Sequence, residues 1–167
     1  MIIFDSSPLI HLTKIGKIEF VLKQFGKIYI PDAVYEEVVE KGIKFGYSDA
    51  IFIQNLENEK QISKIKTKKK DPTLVNFLHK GEIEVLLLGE EYTHKKCLIV
   101  MDEKKGRLVA EQRNIPFIST AGLILLLLKH DIIKYDLYCS NLANYASNGW
   151  FSLRNYQNYI KRGKIYE

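Results

Sequence analysis

The chain has 167 residues, with 25 Lys and Arg against 20 Asp and Glu, for a net charge of +5. That length suits one domain with a substantial core, and the longest apolar stretch, residues 121–128, falls far short of the ~20 residues that span a bilayer. Cys97 and Cys139 are too few and too far apart for a zinc site or a disulfide framework, and the basic balance raises the expectation of a polyanionic partner.

The chain alternates strand-like and helix-like segments. Residues 1–4 read as a short buried strand that stops at Asp5. A helix follows, with Ser6 or Ser7 as N-cap and Pro8 in its first turn, running over residues 9–25 with a break near Gly16 and a stop at Gly26. Residues 27–30 form a second strand, closed by Pro31. Asp32 caps a helix from Ala33 to Lys41, which Gly42 ends. Residues 49–56 are helical, and residues 61–66 alternate weakly enough to be an edge strand. A basic run, Lys68-Lys69-Lys70, precedes a short helix over residues 72–79. Gly81 opens a helix that reaches Tyr92. Residues 97–101 are a strongly apolar strand ending in Asp102, followed by a helix over residues 103–113 and a last strand over residues 116–118. Residues 122–129 are a buried helix, and the remainder is mostly helical with a break at Gly149. Strands separated by helices predict a largely parallel sheet between helical layers. No N-terminal segment resembles a secretory signal, so a soluble cytoplasmic protein is expected.

The acids carry the functional signal. Asp5 and Asp102 share one pattern: buried strand, carboxylate, helix. Either is a satisfactory N-cap by itself, but two strand-end acids in a parallel sheet lie at the edge where open α/β folds bind ligands. Glu37 lies at the margin of the apolar face of its helix, where spacing alone favours a plain surface residue and allows one that points into a cleft. Glu82 and Glu84 are about 200° apart on a buried helix, so at most one of them is central. Both could simply complement the helix dipole. Carboxylates that converge repel one another unless a cation joins them, and Mg²⁺ or Mn²⁺ prefers such oxygen donors. Four acids on one or two metals suit phosphodiester hydrolysis, because the metal activates water and stabilises the charge on the phosphorane.

Taken together, Asp5-Ser6-Ser7-Pro8-Leu9-Ile10, Ile30-Pro31-Asp32-Ala33-Val34-Tyr35-Glu36-Glu37-Val38, Gly81-Glu82-Ile83-Glu84 and Asp102 with Arg107 and Ala110 resemble the PIN-domain proteins. The resemblance is to the prokaryotic branch described as predicted nucleic-acid-binding PIN proteins. It covers roughly residues 1–128, with the motifs in the family's order and spacing. It implies a three-layer α/β/α sandwich with a mostly parallel five-stranded sheet. It also implies a divalent-metal-dependent endoribonuclease that cleaves single-stranded RNA, in many members the toxin of a toxin–antitoxin pair and often a homodimer. By the resemblance, Asp5, Glu37 and Asp102 match metal-binding acids, Glu82 is the third acid with Glu84 its alternative, and Ser6 supports the first Asp. Where the family often has a second acid after the fourth strand, this chain has the longer Glu103. The segment 62–70 and the helical tail 131–167, expected to pack on the same domain as an extension, match the family core poorly.

A nucleic-acid rim would come from Lys68, Lys69 and Lys70, or from Lys104, Lys105 and Arg107 just after Asp102, through salt-sensitive phosphate contacts. Tyr47, Tyr92 and Phe45 are candidate base platforms, whereas the aromatic tail (Tyr145, Trp150, Phe151, Tyr156, Tyr159) reads first as packing on the core or a dimer mate. His11, His79, His94 and His130 show no ligand spacing, and only His79 lies near Glu82 in sequence. The rival readings are a non-catalytic nucleic-acid-binding module and an aspartyl-phosphate phosphatase or receiver built on Asp5. Ser7, where such a phosphatase would have a second Asp, argues against the latter.

Overall fold

A computed structural model describes residues 1–167. Strands β1 (Ile2–Phe4), β2 (Ile28–Pro31), β3 (Ile62–Ile65), β4 (Leu98–Val100) and β5 (Phe117–Ile118) form one sheet in the order β3-β2-β1-β4-β5. Every pairing is parallel. β1 is wholly buried because it is the central strand, and its apolar run needs no alternation. β3 is an edge strand, as its weak alternation predicts.

Between the strands run α1 (Ser6–Lys14), α2 (Ile18–Phe25), α3 (Asp32–Tyr35), α4 (Gly42–Lys44), α5 (Ser48–Asn58), α6 (Lys80–Glu91) and α7 (Lys104–Gln112). α6 packs across β1, β2 and β4 with α7 beside it. α1 packs against α2, α5 and α8 (Thr120–Lys129). Connections between parallel strands are right-handed as a rule, and with this strand order that puts the two groups on opposite faces of a three-layer α/β/α sandwich. α8 is apolar on nearly every side because it is enclosed between α1 and α2 and the tail helices α9 (Tyr135–Ser147) and α10 (Leu153–Gly163). Tyr138, Leu142 and Tyr145 of α9 belong to the same continuous apolar cluster as the sheet.

Four local expectations need correction. Pro31, not Asp32, occupies the N-cap position of α3, where Asp32 is the first helical residue. Residues 72–79 hold only one 3-10 turn, Pro72–Leu74. Asp5, not Ser6 or Ser7, occupies the N-cap position of α1, which frees the Ser6 hydroxyl for a distant partner. Gly42 does not end its helix. The segment Glu36–Lys41 is a π-helix that joins α3 to α4, and Gly42 sits inside the run because a Cβ there would collide with Ala50. The turn comes at Gly46, with φ +77°. A π segment widens the helix by one residue per turn and resets the direction of its side chains, which is why such segments recur at functional sites. Here it begins at Glu36 and carries Glu37.

The chain leaves β1 toward β2 on one side and continues from β4 to β5 on the other. The point where the order reverses lies between β1 and β4. Their register pairs Phe4 with Val100, and the Asp5 amide donates to the Val100 carbonyl at 3.0 Å. The ends of β1 and β4, with Asp5 and Asp102, therefore flank the crevice in which parallel sheets bind ligands.

Candidate functional site

Asp5 is the buried centre of this crevice, with 4% of its surface exposed. Burial is the main force lifting its carboxyl, to about 7. The Ser6 backbone amide opposes that lift, and the charges of Glu82, Glu37 and Asp102 reinforce it. These same three acids are the ones that stand out in the sequence. They arrive from three elements: the π segment, the first turn of α6, and the residues following β4.

Each is held by its own donor. The Ser6 hydroxyl donates to Glu37 Oε2 at 2.8 Å. The His79 amide donates to Glu82 Oε2 at 2.8 Å, closing a capping box at the start of α6. Asp102 is the most heavily engaged. Thr120 gives its amide to Oδ1 at 2.8 Å and its hydroxyl to Oδ2 at 2.7 Å, and the Tyr145 hydroxyl adds a bond to Oδ2 at 3.0 Å. His11 Nδ1 lies 3.3 Å from the same oxygen. Burial works against the Asp102 charge, but these donors outweigh it and hold the carboxyl below the usual range. Two glycines border these acids. A Cβ on Gly81 would stand 3.6 Å from Glu37 Oε2, and one on Gly106 would strike Met101 Sδ and stand 3.4 Å from Glu82 Oε1.

Glu84 turns away, as its 200° offset from Glu82 requires. Its Oε2 accepts from the Ala33 amide at 3.0 Å and satisfies an otherwise unpaired donor at the start of α3. Glu103 is exposed at the N-cap of α7 and makes no side-chain cap bond. Lys104 and Lys105 are exposed in the first turn of that helix, and Arg107 bonds back to the Asp102 carbonyl. Lys68 and Lys69 are drawn elsewhere. Their amides bind Glu91 and the Lys69 ammonium binds Glu90 at 3.0 Å, both at the far end of α6. Nine residues of helix separate Glu82 from Glu91, about 13 Å along the axis. Lys70 is exposed beside them.

The local sequence pattern announces little of the shell around Asp102. His11 shows no ligand spacing, yet it stacks on Trp150 with ring centroids 4.0 Å apart and reaches Asp102. A signal for Thr120 does exist, because Ser119-Thr120 follows β5 at the same edge in the same strand-then-polar pattern. His79 acts through its backbone, its amide donating to the Glu82 carboxylate that caps the start of α6.

The DUF3368 family model, described as a PIN domain, matches residues 1–162. The chain belongs to this PIN-domain family. The match runs well beyond residue 128 and takes in α9 and nearly all of α10, so the tail is part of what this PIN domain shares with its family. No curated protein matches the chain. PIN domains are typically nucleases that bind nucleic acid and use divalent metal ions. The donors in this PIN domain fit such an ion chemically: they are hard, anionic oxygens around a carboxyl whose own charge is disfavoured. No three acidic, His or Cys side chains close on one point. Mg²⁺ does not require that, since it keeps several waters and commonly takes only one or two carboxylates directly. No helix of this PIN domain is long and apolar enough to cross a membrane.

Proposed function

We propose that the protein is a divalent-metal-dependent endoribonuclease that cuts single-stranded RNA at the Asp5 cleft. One observation carries the reading: a buried carboxyl at the switch point of a parallel sheet, its charge opposed by three acids from three other elements. Uncompensated, such a cluster costs several kcal/mol. It persists where it has a use, and a cation removes the cost.

Asp5, Glu37 and Glu82 are the residues to hold Mg²⁺ or Mn²⁺, with Asp102 as the fourth acid of the site. A bound ion of this kind supplies a water ionised near neutral pH and positive charge for the phosphorane and the leaving oxygen. The protein's own part is positional. Ser6 fixes Glu37, His79 fixes Glu82, and Thr120, Tyr145 and His11 fix Asp102. Glu84 acts as a cap for α3. Lys104, Lys105 and Arg107 offer the phosphate rim on Asp102's side, and Lys68, Lys69 and Lys70 extend it more distantly.

The family resemblance extends the proposal to a cytoplasmic toxin held by a small antitoxin protein, and to a homodimer. The uncovered side chains of Phe45, Ile51 and Phe52 support the dimer, being apolar surface without a partner in the monomer.

The test is cleavage of an end-labelled single-stranded RNA with Mn²⁺, with Mg²⁺ and with EDTA. Metal should permit cleavage and EDTA abolish it, and Asp5→Asn should eliminate it while the protein still melts cooperatively. Activity retained in that variant would sink the mechanism. One observation favours a second reading, a binding module that does not cut: both oxygens of Asp102 are already committed to protein donors. Retention of RNA with no metal-dependent cleavage of any RNA tested would select it.

A further inference from the structure

Asp102 is shared between the carboxylate cleft and a second cavity. This cavity has a volume of about 650 Å³ and opens between the end of β5, α8 and the tail helices. Its size lies within the ~300–1,000 Å³ typical of small-molecule sites. Two features of its wall occur together. The first is aromatic: Phe117, Trp150, Phe151, Tyr159 and Tyr166 all line it. Trp150 is backed by the stacked His11 ring, and Phe117 and Tyr166 remain 36% and 39% exposed.

The second is charge. Arg107, Lys129 and Arg162 line the same cavity, and none of the three is paired with a carboxylate. Arg162 lies over the Tyr159 ring, 4.6 Å from its centroid. The one acid present, Asp102, has its oxygens committed elsewhere. Asn155 also lines the cavity, and its side chain makes no hydrogen bond within the protein; the neighbouring Ser152 hydroxyl accepts from its backbone amide instead. Flat rings, unpaired cations and a free carboxamide match one ligand chemistry. A base stacks on the rings, a phosphate pairs with the cations, and an amide reads a base edge.

We propose that this cavity binds one nucleotide of single-stranded RNA, its base among the aromatic rings and its phosphate against Arg107, Lys129 and Arg162. The tail then does more than pack. It supplies a second wall that holds the strand on the Asp102 side of the site. Placing this nucleotide next to the cut phosphate rests on the proposed nuclease reading, whereas its binding does not.

Trp150 is the chain's single tryptophan and lines the cavity, so its fluorescence reports occupancy directly. The full-length protein is titrated in EDTA with a five-residue oligoadenylate and, separately, with adenosine monophosphate. The oligonucleotide should quench Trp150 saturably, and the mononucleotide should compete at higher concentration. Arg162→Glu and Asn155→Ala, both at exposed positions, should each weaken oligonucleotide binding about tenfold while leaving the melting transition in place. No quenching, or full-affinity binding by both cavity variants, would overturn the subsite whether or not the protein cuts RNA. Tighter binding of the mononucleotide than of the oligomer would overturn the strand assignment in favour of a free-nucleotide site. Quenching without metal-dependent cleavage would leave the subsite standing and remove the nuclease reading.

Discussion

Replacing Asp5 with Asn should stabilise the protein at pH 8 in EDTA and do progressively less as the pH falls. In the folded chain the Asp5 carboxyl is lifted from 3.8 to about 7. The native state therefore keeps a proton that the unfolded chain has already released across that interval. The stability this proton confers is complete below about pH 4 and lost as the pH rises through 7. Each pH unit of that interval is worth about 1.4 kcal/mol, so the full span amounts to about 4 kcal/mol. With only 4% of the residue exposed, solvent screening takes little from that figure. Asn is nearly the same size and does not titrate. Whatever fixed cost the substitution carries, its difference from the unmodified protein should grow by about 4 kcal/mol between pH 4 and pH 8, or about 10 °C in melting temperature for a chain of this length. Urea unfolding at pH 4.5, 6 and 8 in EDTA measures this. Millimolar Mn²⁺ at pH 8 should recover much of the loss in the unmodified protein and little in the variant. A stability difference that stays flat from pH 4.5 to 8 would refute the claim that Asp5 sits uncompensated among Glu37, Glu82 and Asp102.

Glu84→Ala should cost about 1 kcal/mol in urea unfolding, since it removes the acceptor for the Ala33 amide, and should leave metal-dependent cleavage intact. Glu82→Gln should do the reverse and remove cleavage at little cost in stability; cleavage kept in Glu82→Gln and lost in Glu84→Ala would reverse the assignment of the third acid. Tyr145→Phe removes one of the donors to Asp102 and should destabilise by about 1–2 kcal/mol at pH 7, an effect that shrinks as acid protonates Asp102. Gly106→Ala should cost about 1–3 kcal/mol, because the added methyl meets Met101. Urea unfolding checks this, and an unchanged midpoint would refute the collision.

The sheet was legible because its strands are short apolar runs that end in polar or turn-forming residues. Buried parallel strands need no alternation, so residues 1–4 and 97–101 stood out from their surroundings. The edge position of β3 was visible in its weak pattern. The offset between Glu82 and Glu84 followed from helix geometry, and the structure sends the two carboxylates to different partners as that offset requires. The π segment was not legible. Its residues, Glu36 to Lys41, have ordinary helical composition, and the segment lies against α5 and α1, which are remote in the local pattern. The role of the tail was not legible either. Its aromatic residues announced packing but not what they pack around.

By itself, the sequence determined which residues end the strands and which acids stand at those ends. These are local properties, set by hydrophobic period, helix caps and the requirement that a buried run stop before a charge. Only the tertiary structure decided that Asp5 and Asp102 flank one crevice, because the order β2-β1-β4 is a long-range pairing that no local pattern encodes. It likewise decided that Thr120, Tyr145 and His11 take up the oxygens of Asp102 and leave Asp5 as the carboxyl that burial and three like charges act upon. Electrostatic strain of this kind depends on distance and burial, and both arise only when remote segments meet.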